Sequence, residues 1–169
     1  MLKNSPKERF GIKLDKQYFN FGSAHFLIFA DGTREELHGH NYRAMLEFDA
    51  DLDDGNLVAD FLVVKPIFKA ICDGLDHRTL LPLRNPHLRV TEEGDEVIVN
   101  YRDDRYVLPS RDVLLLDIEN TASELLARYV CERFVTRVEE TLSGLRIHRV
   151  MVTIQESPGQ SAFYERVFD

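Results

Sequence analysis

The residues best suited to chemistry are two histidines one position apart, His38 and His40 in Leu37-His38-Gly39-His40-Asn41-Tyr42. In an extended strand successive side chains point to opposite faces, so both imidazoles point the same way and can grip one ion. His25, in Ser23-Ala24-His25 just upstream, offers a third ligand. Three neutral imidazoles suit Zn²⁺ and leave a fourth position open to water or substrate, the catalytic rather than the structural arrangement. His-x-His is a weak motif alone, and the spacing equally fits surface or core histidines that hold no metal.

The elements that must position these residues show in the hydrophobic pattern. Residues from about Phe10 to His25 alternate as one long strand, with Phe19, Phe21, Ser23 and His25 sharing a face. Ala30-Asp31-Gly32-Thr33 is a turn signal, and a second strand runs from His38 to about Leu52. On it His38, His40, Tyr42, Ala44, Leu46 and Phe48 lie on one face, and Asn41, Arg43, Glu47 and Asp49 on the other. Paired as an antiparallel hairpin, the two strands would hold the imidazoles at fixed separation.

Further along, Asp60 caps a helix over roughly 60–75 whose apolar stripe is Phe61, Val64, Phe68, Ile71 or Cys72, and Leu75. Pro66 requires either a start near Val64 or a kink. Residues 81–112 read as an inserted β-meander of three short strands, too small for a core of its own. Thr121-Ala122-Ser123-Glu124 matches a capping box opening a second helix to about Leu142. Ile147–Gln155 is a third long strand whose face continues to Glu156, and Ser161–Phe168 is the last. The order predicts one α+β domain over 1–169, a four-stranded antiparallel sheet with two helices on one face. Its open edges could be hidden by oligomerisation into a closed barrel.

Composition excludes several function classes. At 169 residues the chain can bury a core without disulfides. Its net charge of −8 argues against sequence-independent binding of nucleic acid or anionic lipid. No apolar run reaches a membrane span, and the charged start Met-Leu-Lys-Asn-Ser-Pro-Lys-Glu-Arg has no signal-peptide core, so a soluble, cytoplasmic protein is expected. Cys72 and Cys131 fall in apolar helical patterns, as reduced buried thiols rather than nucleophiles.

Taken together, Ser23-Ala24-His25, His38-Gly39-His40-Asn41-Tyr42, Val58-Ala59-Asp60-Phe61, Leu75-Asp76-His77, the capping-box helix and Glu156 resemble the 6-pyruvoyl-tetrahydropterin synthase and 6-carboxytetrahydropterin synthase family. The likeness spans nearly the whole chain apart from 81–112. It implies a tunnelling fold, with sheets joined into a barrel in a homo-oligomer, commonly two stacked trimers forming a hexamer, and active sites at subunit interfaces. It also implies that His25, His38 and His40 ligate Zn²⁺, and that Asp76 and His77 are an acid–base dyad contributed across the interface. Glu156 would anchor the pterin, and Ser123 lies where the family touches its substrate. On the residues alone, Asp76 could simply cap a turn and Glu156 could be a solvated strand end. Most members carry a catalytic cysteine four residues before the first histidine of His-x-His, where this chain has Arg34, followed by Glu35 and Glu36. That resembles a subgroup in which glutamate replaces cysteine, and makes Glu35, ahead of Glu36, the candidate base. The implied reaction is retro-aldol cleavage of the C6 side chain of 7,8-dihydroneopterin or its triphosphate, releasing 6-hydroxymethyl-7,8-dihydropterin for a folate or related pathway. The alternatives are formation of 6-pyruvoyl-tetrahydropterin for biopterin or of 6-carboxytetrahydropterin for deazapurines such as queuosine, and a non-catalytic protein that binds a pterin or purine.

Overall fold

A computed structural model describes residues 8–169; Met1–Lys7, most of the charged N-terminal stretch, lie outside the described residues. The elements run β1 (Gly11–Leu14), β2 (Asn20–His25), β3 (His38–Ala50), α1 (Phe61–Leu75), β4 (Arg78–Pro82), β5 (Arg89–Glu93), β6 (Glu96–Tyr101), β7 (Asp104–Pro109), β8 (Val113–Leu116), α2 (Ser123–Thr141), β9 (Ile147–Ser157) and β10 (Gln160–Val167). The main sheet has the order β10-β9-β3-β2-β4-β8, with β1 also on β3.

The fold is α+β with both helices on one sheet face, as the pattern predicts. Phe68 of α1 packs edge-on against Phe19 at 4.9 Å and against Phe134 of α2 at 6.1 Å, while Phe134 reaches Phe48 of β3 at 5.6 Å. These rings and the inward residues of β3, from Tyr42 to Phe48, are fully buried. Each buried aromatic contributes about 1.5–3 kcal/mol of transfer free energy.

Two expectations about the sheet need correction. The long first strand is broken: β1 pairs with the far half of β3 (Leu14 opposite Leu46) and β2 with the near half (Asn20 opposite Arg43). Five residues on one side therefore face two on the other, and the excess is taken up in a turn closed by Phe19 N–H donating to the Lys16 carbonyl at 3.0 Å. The sheet is also wider than four strands and not wholly antiparallel, because β4 pairs parallel with β2 and β8 parallel with β4. The meander is accordingly confined to β5–β7, inside the expected 81–112 block.

Asp60 caps α1 as expected, its side chain accepting from Leu62 N–H at 2.7 Å. The helix begins at Phe61 and runs through Pro66 to Leu75. Pro66 leaves only the Leu62 carbonyl without its helical donor, and Leu62 is 75% exposed, so water can reach it. The capping box on α2 does not form. The N-cap is Ala122, and Thr121 instead gives its buried hydroxyl to the Phe26 carbonyl at 2.9 Å. Glu124 remains in the first turn, where the helix dipole favours a carboxylate.

The meander does not stand alone. Val97, Val99 and Tyr101 of β6 share a buried cluster with Phe26 and Ile28 of the β2–β3 connection and with Leu81 and Val113 of the main sheet. Among the described residues, no helix is long and apolar enough to cross a membrane.

Candidate active site

Strand register assembles the centre of the site. His25 and His38 are direct cross-strand partners, and His40 lies opposite Ser23, so the three imidazoles emerge from one face of β2 and β3. One ring nitrogen from each lies within 4.8 Å of the others, a cluster that could hold a metal ion. Backbone acceptors fix the rings. His25 Nδ1 lies 3.1 Å from the Thr121 carbonyl, and His38 Nδ1 lies 2.7 Å from that of Glu36. Both bonds require the proton on Nδ1, which turns a bare Nε2 inward, the tautomer a ligand needs. His38 Nε2 and His40 Nε2 are 2.8 Å apart. Burial pushes the His25 imidazole down to about 4, against the opposing pull of the Thr121 carbonyl, so the ring is neutral at pH 7. Donor type, convergence and protonation therefore all fit a small divalent cation.

Glu156, on β9, reaches the same point. Its carboxylate lies 3.2 Å from His40 Nε2 and 3.6 Å from His25 Nε2, about 29% exposed. It is therefore no free strand end but a carboxylate turned onto the imidazoles. Sequence reading gave no role to Tyr42, two residues beyond His40 on the same face, yet its hydroxyl lies 3.0 Å from His25 Nε2. With Nδ1 protonated, that hydroxyl donates to Nε2; burial, with Glu156 and Glu35 nearby, raises its own pKa.

The two glutamates before the histidines differ in placement. Glu35 extends toward the cluster, its carboxylate 3.9 Å from His38 Nδ1 and 3.4 Å from Leu27 N–H. The Glu36 side chain is 93% exposed and faces Arg34 at 3.9 Å. Arg34, at the expected cysteine position, turns away from the histidines. Both cysteines are buried in the helices, where burial pushes each thiol up to about 12.

Asp76 and His77 pair with each other but do not touch this cluster in the chain. The Asp76 carboxylate accepts from Gly22 N–H at 2.7 Å and lies 2.8 Å from His77 Nδ1. Burial pushes the Asp76 carboxyl up, but the Gly22 bond and His77 outweigh it and hold it below its usual value. His77 is held at φ +55° by its N–H bond to the Gly22 carbonyl at 2.7 Å, with its ring 89% exposed. Left-handed backbone at a non-glycine residue is uncommon and collects at functional positions. A depression of about 450 Å³ runs from His40 past Gly39 and Asn41 to His77. A second, of about 560 Å³, runs from His40 to Glu156. Ser123 sits at the first turn of α2 with its hydroxyl oxygen buried and unpartnered.

The arrangement has relatives. The family profile for 6-pyruvoyl tetrahydropterin synthase matches residues 13–167. A Methanocaldococcus jannaschii protein, provisionally assigned as a 6-carboxy-5,6,7,8-tetrahydropterin synthase, is 33% identical over 150 residues, covering 88% of this chain and 91% of that one. The crystal structure of Plasmodium vivax 6-pyruvoyltetrahydropterin synthase superposes with a TM-score of 0.87 at 28% identity, covering 96% of this chain and all of that one. That enzyme has also been solved with a catalytic glutamate replaced by alanine or by cysteine. With the profile spanning nearly its whole length, this chain belongs to the 6-pyruvoyl tetrahydropterin synthase family of pterin enzymes.

Proposed function

We propose that this protein is a zinc-dependent lyase that cleaves the C6 side chain of 7,8-dihydroneopterin or its triphosphate, releasing 6-hydroxymethyl-7,8-dihydropterin. The observation that carries the reading is the carboxylate of Glu35 beside His38, at the end of the histidine cluster, with both thiols buried elsewhere. The Plasmodium vivax relative's catalytic glutamate supports the same role for a carboxylate.

His25, His38 and His40 would hold the metal. A bound Zn²⁺ would supply Lewis acidity toward the side-chain hydroxyls of the substrate, lowering their pKa. The Glu35 carboxylate takes the proton from the C2′ hydroxyl. The C1′–C2′ bond then breaks, and C2′ leaves as the carbonyl carbon of glycolaldehyde, or of its triphosphate ester. The bonding pair passes into the N5=C6 imine of the pterin and returns to C1′ as that carbon is protonated. Asp76 and His77 are suited to deliver this proton. Because they lie apart from the cluster within one chain, they would act in the site of a neighbouring copy. The outer edge of β10, unpaired among the described residues, with Phe163 and Val167 each 65% exposed, supports closure of the sheets into a trimer or hexamer. Glu156 would accept two hydrogen bonds from the ring N–H and exocyclic amino group of the pterin, and Ser123 would add a hydroxyl contact.

Zinc-loaded protein should convert one of the two dihydroneopterin forms, and Glu35→Gln should reduce turnover by at least about 100-fold with zinc content unchanged. Full activity in Glu35→Gln removes this mechanism. The name of the Methanocaldococcus jannaschii relative favours a second reading, production of 6-carboxytetrahydropterin, which mass spectrometry of the product would separate. Tight pterin binding without turnover would identify a non-catalytic binding protein instead.

A further inference from the structure

We propose that Arg34 is a positioning residue for Glu35, and that the β5–β7 meander is the part of the fold that holds Arg34 in place. The inference rests on the reading of Glu35 as the base.

An arginine side chain only 10% exposed is unusual, and both terminal nitrogens and the guanidinium face of this one are engaged in the region that carries Glu35. Its guanidinium carbon lies 5.4 Å from the ring centre of Phe26, 5.6 Å from Tyr101 and 5.5 Å from Tyr106. Two of these rings belong to the meander and the third opens the β2–β3 connection. Nη1 donates to the Glu35 carbonyl at 2.7 Å, and Nη2 to Asp104 of β7 at 3.3 Å. The Glu35 N–H donates to the Leu27 carbonyl at 2.9 Å. Both polar backbone atoms of Glu35 are thus tied, one to the partner segment and one to Arg34.

The meander grips the same connection a second time. The Tyr101 hydroxyl donates to the Gly32 carbonyl at 2.5 Å, and Arg102 Nη2 to the same oxygen at 3.0 Å. Gly32 lies at φ +78° in the turn that reverses the connection, held also by Asp31, whose side chain accepts from Thr33 N–H at 2.8 Å. The histidines need no such support, because strand pairing fixes them. Glu35 lies outside the strands, so its carboxylate would otherwise sample many positions. A planar guanidinium can face aromatic rings and donate in-plane to a carbonyl and a carboxylate at once, which an ammonium cannot.

The test uses zinc-loaded protein and four variants, Arg34→Met, Arg34→Lys, Glu35→Gln and the double Arg34→Met/Glu35→Gln, with zinc stoichiometry measured throughout. Expected for Arg34→Met is a fall in kcat of at least about tenfold with KM within threefold and zinc retained, and for Arg34→Lys a partial recovery. In the Glu35→Gln background, Arg34→Met should cost nothing further, since it acts through the group already removed. A folded Arg34→Met with kcat within twofold of the parent overturns the proposal, as does an additional loss in the double variant. Hydrogen exchange gives a second readout that needs no turnover. Amides of residues 33–37 should exchange at least about tenfold faster in Arg34→Met while those of α2 are unchanged, and equal protection overturns the tether. Should Arg34→Met not fold, Tyr101→Phe removes only the bond to Gly32 and should lower kcat about threefold and loosen the same amides; no change in either refutes the meander's part. Activity retained in Glu35→Gln fails the assignment of the base itself, whereas an inactive Glu35→Gln beside a fully active Arg34→Met fails this proposal alone.

Discussion

Acidification of the metal-free protein should expose the cost of enclosing His25. The ring is 0% exposed, and burial takes its pKa from the ordinary 6.5 down to about 4. Above pH 7 the imidazole is neutral whether the chain is folded or not, and contributes nothing to pH dependence. As the pH falls through 6.5, the unfolded chain takes up a proton that the folded chain refuses, so stability drops until about pH 4. At about 1.4 kcal/mol per pH unit, the full loss is about 3 kcal/mol, most of which falls between about pH 7.5 and 4.5. Urea denaturation in the presence of a chelator, at those two pH values, measures it. Asp49 and Asp76 have carboxyls held below their usual range, so their contributions are lost at lower pH, and a paired variant removes what remains. His25→Gln should flatten the wild-type slope by about 2–3 kcal/mol across this interval, whatever its stability at pH 7.5. If variant and wild type lose stability in parallel, the buried ring is not the neutral group described above.

Tyr42→Phe keeps the stack on Phe21, whose ring centre is 5.0 Å away, and removes only the hydroxyl donated to His25 Nε2. The metal-free protein should lose about 1 kcal/mol by chemical denaturation while zinc affinity, read by chelator competition, does not fall. The thiols of Cys72 and Cys131 should resist a maleimide in the folded protein and react fully in denaturant, and labelling that abolishes native activity would contradict their burial.

What the sequence shows of the site is what local geometry determines. The spacing of His38 and His40 settles their shared face once β3 is recognised, and the same alternation carries β9 to Glu156. Tyr42 was equally readable, as the next residue on that face. The failures have a common origin in tertiary partners. Thr121 forgoes the capping box because the Phe26 carbonyl is buried beside it and requires a donor. β4 and β8 escape a test for alternation because Leu80-Leu81 and Val113-Leu114-Leu115-Leu116 are continuous apolar runs, the signature of parallel strands covered on both faces. The carbonyl that orients His25 belongs to Thr121, 96 residues away, and backbone atoms leave no trace in side-chain patterns.

The histidines and Glu35 therefore depend on different parts of the fold. A hairpin with strict register places the imidazoles, and any sequence preserving the alternation of β2 and β3 would preserve them. Glu35 lies between those strands, on a connection that is closed on itself by one isolated bridge, Ile28 with Arg34, and held by contacts from Asn120, Thr121 and the meander. Loops vary more freely than the elements they join. Under the proposed function, a metal site on strands beside a base on a braced connection would let the reacting group change without disturbing the ligands. On this physical ground, exchange of a thiol for a carboxylate requires a new support as well as a new side chain, and in this chain Arg34 and the aromatic rings around it occupy the place where that support is needed.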